Sequence, residues 1–99
     1  MTRKFTNETF HQEFVFIKCG RRAAEKKLQI EIEDDTDGLC STMDDGTVMI
    51  WVCKDAHDSV LVHECVHAAM FTLERAGVKQ IDTELMAYLT QEIWIKCAC

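Results

Sequence analysis

The 99-residue chain contains no proline, and it shows no repeat and no low-complexity linker. Nothing divides it, so residues 1–99 are expected to form one domain with a modest core. Long apolar runs are missing too. The longest is Val48–Cys53, six residues, far short of what a membrane span requires. Positive charge is scarce: 11 Lys and Arg stand against 17 Asp and Glu, a formal charge of −6. A phosphate-backbone partner would want a basic face, so nucleic acid is not an expected ligand. Met1-Thr2-Arg3-Lys4-Phe5 is basic but no apolar segment follows it, so no signal peptide is expected and the cytoplasm is the expected location. There is also no glycine loop to cradle phosphate.

Against these absences stands His63-Glu64-Cys65-Val66-His67, an HExxH inside the otherwise apolar stretch Val60–Phe71. On a helix, positions i and i+4 share a face with about 6 Å between Cβ atoms. Both imidazoles can then reach one metal ion at roughly 2.0–2.1 Å. Glu64 falls about 100° around the helix, beside the metal, where it can take a proton from a bound water. Such side chains are costly to bury unless paired or metal-bound. Cys65 points the other way, into the core.

Six cysteines are many for this length. Without a secretory signal they are expected as free thiols. Cys97-Ala98-Cys99 is either a frayed tail or a second metal or redox pair. His57 reads as a surface or capping residue and His11 as solvated. Trp51 and Trp94 read as core.

Phe10, Phe14, Ile17, Arg21, Ala24 and Leu28 fall at helical spacing, which predicts a helix over 8–27 with Thr6 or Asn7 as its cap; Phe14–Ile17 alone also suits a strand. Leu28–Glu33 alternates and predicts a half-exposed strand. Asp34–Gly38 is a turn. Leu39–Thr42 and Thr47–Cys53 flank Asp45-Gly46, a hairpin signal, and the second arm is apolar on both faces, as a central strand is. Asp55 or Asp58 is expected to cap the HExxH helix, Gly77 to end it, and Asp82 or Thr83 to start a last helix running to about Lys96. The expected fold is α+β: an N-terminal helix, a three-stranded sheet, the HExxH helix and a C-terminal helix.

A catalytic zinc site needs a third protein ligand and an open position. The extension HExxHxxGxxH fails, because Met70 and Leu73 occupy its glycine and histidine positions, and no histidine follows His67. Glu74 lies too far along the same helix. Asp82, Glu84, Glu92 and the Cys97/Cys99 pair remain, and on geometry Glu84 and Glu92 are even.

Val60–Ala69 followed by Asp82-Thr83-Glu84-Leu85-Met86-Ala87-Tyr88-Leu89 resembles the gluzincin branch of zincin-like HExxH metallopeptidases, most of all short members encoded by phages and bacteria. The specific likeness covers about residues 48–93. It implies a zinc ion held by His63, His67 and Glu84, with Glu64 as general base and then proton donor. Tyr88 stands where thermolysin-like relatives place an aspartate. A phenol there can bond an imidazole or stabilise an oxyanion, or simply pack. Strand 47–53 would lie where such enzymes keep the sheet edge for an extended peptide.

The expected function is therefore a minimal zinc metallopeptidase acting on a peptide or protein. The alternative is a phage-type zinc-containing regulatory module that docks on a host protein and cleaves nothing. A metal-dependent hydrolase of some non-peptide substrate ranks third.

Overall fold

The computed structural model describes residues 1–99. In chain order the elements are β1 (Thr2–Asn7), β2 (Gln12–Cys19), α1 (Arg21–Leu28), β3 (Gly38–Thr42), β4 (Val48–Cys53), α2 (Asp58–Arg75) and α3 (Thr83–Ala98). The strands form one mixed sheet in the order β1-β2-β4-β3. β2 and β4 are parallel neighbours, and β1 and β3 pair antiparallel at the two edges.

The two central strands explain this arrangement. Phe14, Phe16, Val48, Ile50 and Val52 point to one face and pack under α2 and α3. Val15, Ile17, Met49, Trp51 and Cys53 point to the other, where Ala24 of α1 and Ile32 cover them. Both strands are apolar on both sides, so each needs a neighbour on each edge and a layer on each face. Trp51 is fully buried, and its indole N–H donates to the Cys19 carbonyl at 3.1 Å.

The fold is α+β, but the sheet has four strands and its first half departs from the expectation. No helix covers 8–27. Residues 2–19 form the β1–β2 hairpin, and the helix occupies only Arg21–Leu28. The spacing of Phe10, Phe14 and Ile17 mimicked a helical face. Burial of Phe14–Ile17 on both sides by β4 and its layers decides for a strand. Gly20, expected inside a helix, is the N-cap with ψ 160°. Leu28–Glu33 is not a strand either. Gln29 turns left-handed at φ 56°, leaving Ile30 exposed. Ile32 drops into the core, its N–H held by the Glu25 carboxylate at 2.8 Å.

The second half follows the sequence more closely. The β3–β4 hairpin turns through Met43–Gly46, with Gly46 at φ 90° and Asp45 Oδ1 accepting from the Thr47 N–H at 2.9 Å. Strand 48–53 is central, as its two apolar faces required. The free edge expected there belongs to β3 instead. Neither Asp55 nor Asp58 caps α2. The cap is His57, whose Nδ1 accepts from the Ser59 N–H at 3.1 Å, while Asp58 supplies first-turn acid. Gly77, at φ 79°, closes α2: its N–H reaches Glu74 O at 3.1 Å and the Val78 N–H reaches Leu73 O at 3.0 Å. Asp82 Oδ1 caps α3 through the Glu84 N–H at 2.7 Å.

α3 packs beside α2 through Leu89, Ile93 and Cys97. It is also tied to β1. Arg3 donates to the Lys96 and Cys97 carbonyls at 2.7 and 3.2 Å, and the Asn7 amide donates to Glu92 Oε2 at 2.5 Å. Residues 97–99 are thus not a frayed tail: Cys97 is buried in the core, while Cys99 is exposed, so the two thiols face different surroundings. No helix is long and apolar enough to cross a membrane.

His57→Ala removes the only side-chain cap of α2. It is expected to lower unfolding stability by about 1 kcal/mol, read by urea denaturation, with the fold unchanged.

Candidate metal centre

α2 has three kinds of surface. Cys65, Ala68, Ala69, Thr72 and Leu73 are buried against the sheet and α3. Val62 and Val66 are exposed beside α3, and His63 and His67, the residues directly after them, are exposed as well. At 100° per residue, the two histidines fall opposite Cys65, on the outer face of the helix. The i, i+4 spacing brings their rings to a centroid distance of 4.8 Å, and Nε2 of His67 lies 3.1 Å from Nε2 of His63. Two ligands of a tetrahedral ion at 2.0–2.1 Å stand about 3.3 Å apart. The pair thus holds its nitrogens close to a bidentate separation, and in the metal-free chain one ring must donate and the other accept. Phe71 stacks on His67 with centroids 6.5 Å apart.

Glu64 is turned toward β3. It is only 7% exposed, in contrast to the two histidines that flank it in the motif. Burial pushes its carboxyl above the ordinary carboxylate range, while the charges of His63 and His67 pull it back down. Cys40 of β3 shares this flank. Its thiol is pushed up to about 12, first by burial and then by the electrostatic influence of neighbouring Glu64. The arrangement is a reluctant carboxylate, able to hold a proton, next to two nitrogen donors.

The structure joins His63, Glu64 and His67 and places the other expected residues apart. Glu84 lies in the first turn of α3, exposed. Tyr88 follows one turn later and is 67% exposed, not packed. Glu92 is engaged by Asn7 on β1. No third histidine, cysteine, aspartate or glutamate stands with the pair in a group that could hold an ion. The two imidazoles fit a metal; the third donor is not assembled.

Two features escaped the sequence reading. One is the edge strand β3 lying against α2 on the side of Glu64. The other is an open groove of about 620 Å³ between α2 and α3, walled by Val62, Val66, Ile81, Met86 and Trp94, with no charged residue lining it. Trp94, expected in the core, is 38% exposed there. The i, i+4 pair Val62/Val66, interleaved with the histidines, was the available signal.

In metal-free protein Glu64 makes stability depend on pH. Its folded pKa lies above the unfolded one, so its contribution is complete below the unfolded value and is lost as pH rises through the folded one. Glu64→Gln is therefore expected to be more stable than the parent at about pH 7, with the difference shrinking as pH falls into the carboxylate range. Urea denaturation of both proteins across that range checks it.

The chain matches no protein-family model, no curated protein and no solved structure.

Proposed function

We propose that this protein is a minimal zinc-dependent metallopeptidase. The observation that carries the reading is the His63–His67 pair, with Nε2 atoms 3.1 Å apart, beside a buried glutamate whose carboxyl is raised. His63 and His67 would hold the ion. Glu84, an exposed carboxylate on the helix next to α2, is the third ligand that the gluzincin resemblance nominates. When bound, the ion supplies Lewis acidity to the scissile carbonyl and acidifies a water.

The chain's own residues do the rest. Glu64 accepts the water proton at its carboxylate and passes it to the leaving amine, a task its raised pKa suits. β3 has a neighbour on one side only, so its outer edge has backbone groups free for an extended peptide by strand addition. Glu64 lies on that same flank. Tyr88, with its phenol in solvent, is available to a substrate but has no partner that fixes its role.

A second reading is a zinc-containing regulatory module that binds a host protein without cleaving it. The charge-free groove beside the histidine pair favours it.

Glu64→Gln is expected to retain the parent's metal content while peptide hydrolysis falls about 10²–10⁴-fold. His63→Ala and Glu84→Ala are expected to lower metal content; Glu92→Ala is not. Elemental analysis and a peptide-library digest measure both. A parent without metal, or an undiminished Glu64→Gln, defeats the peptidase reading. Equal potency of parent and Glu64→Gln in binding a target, with no cleavage by either, supports the binding module.

A further inference from the structure

Gly38 opens β3, and its φ lies outside the left-handed region, so no turn geometry calls for glycine there. Space does. A Cβ at this position would stand 2.9 Å from Glu64 Oε2, 3.1 Å from Glu64 Cγ and 2.7 Å from Val60 Cγ1. Carbon atoms in good contact sit about 3.5–4.0 Å apart, so the carboxylate arm of Glu64 occupies the volume in which any other side chain would begin.

The surroundings leave little room for adjustment. α2 is seated on the core through Cys65, Ala68 and Ala69, all with zero exposure, so the helix cannot back away. β3 is held in register by β4, with Gly38 opposite Val52. Glu64 takes part in none of the salt bridges of the chain, so no cation fixes its carboxylate. What fixes it is shape: Val60 one turn earlier, Cys40 two residues along β3, and the bare backbone of Gly38.

We propose that Gly38 is a positioning residue for Glu64, its missing side chain being the cradle that holds the glutamate beside the His63–His67 pair. The purpose of that cradle rests on the reading of Glu64 as proton carrier; the packing does not. A methyl group at Gly38 moves the mobile partner, which is the Glu64 side chain, toward solvent. The metal ligands are not touched, so metal content is maintained.

The test uses the full chain as parent, Gly38→Ala, Glu64→Gln and the double variant. Carboxylates are modified with a water-soluble carbodiimide and an amine, and the sites are mapped by mass spectrometry. Glu64 is expected to be protected in the parent and to react at least several-fold faster in Gly38→Ala. Glu25, bonded to the Ile32 N–H, should react at the same rate in both, which reports an intact fold. In hydrolysis, Gly38→Ala is expected to fall toward the Glu64→Gln level, and the double variant to be no slower than Glu64→Gln alone, since both changes act through one carboxylate. A merely structural defect would multiply the two losses.

Unchanged protection of Glu64 in folded Gly38→Ala overturns the proposal, as do multiplying losses. Should Gly38→Ala fold poorly, Gly38→Ala with Val60→Ala removes the aliphatic clash and keeps the one with Glu64; protected Glu64 in that protein overturns it equally. If the parent cleaves no peptide, the peptidase reading fails by itself, and the labelling still decides whether Gly38 places Glu64.

Discussion

Strands β2 and β4 pair in parallel from Phe14–Val48 to Cys19–Cys53, and neither strand has a polar face. That pairing needs a layer on each side of the sheet. α1 and Ile32 supply one, α2 and α3 the other. It also needs a neighbour at each outer edge, which the β1–β2 and β3–β4 hairpins provide. The course of α2 follows from the same contact. The helix leaves the end of β4 and runs back over the sheet on Cys65, Ala68, Ala69 and Leu73, which turns His63 and His67 outward and Glu64 sideways to β3.

A single helix thus divides the HExxH residues between two environments. The histidines remain exposed. The glutamate between them in sequence is desolvated, with a carboxyl that favours its proton more than a surface glutamate does. A helix with an apolar stripe on one side only would expose all three. The extra burial of Glu64 comes from β3 folding over the flank of α2, so the edge strand sets the surroundings of the glutamate as well as completing the sheet.

Much of the second half was legible in the sequence because its signals are local. Asp45-Gly46, Gly77 and Asp82 mark turns and caps by their own backbone demands, and the period of α2 is long enough to be unambiguous. The first half is governed by contacts distant in sequence. Phe14–Ile17 is a short apolar run that suits helix or strand equally, and only its pairing with Val48–Trp51 decides. Ile30 and Ile32 alternate like a strand, yet the left-handed Gln29 and the Glu25 bond to Ile32 break the segment away from the sheet. At the site, His63, Glu64 and His67 could be placed because one helix carries all three. Glu84, Glu92 and Tyr88 lie on a second helix whose rotation depends on Asn7 and Arg3, residues at the far end of the chain.

The link from Arg3 to the carbonyls of Lys96 and Cys97 spans a sequence separation of more than ninety residues. A growing polypeptide emerges from the ribosome with its N-terminal strands first, at about 5–20 residues per second. Phe14–Ile17 must therefore wait for residues 48–53, and the β1 side of the sheet must wait for the last turn of α3. During synthesis β2 therefore has β1 as its only strand neighbour until residues 48–53 have been made.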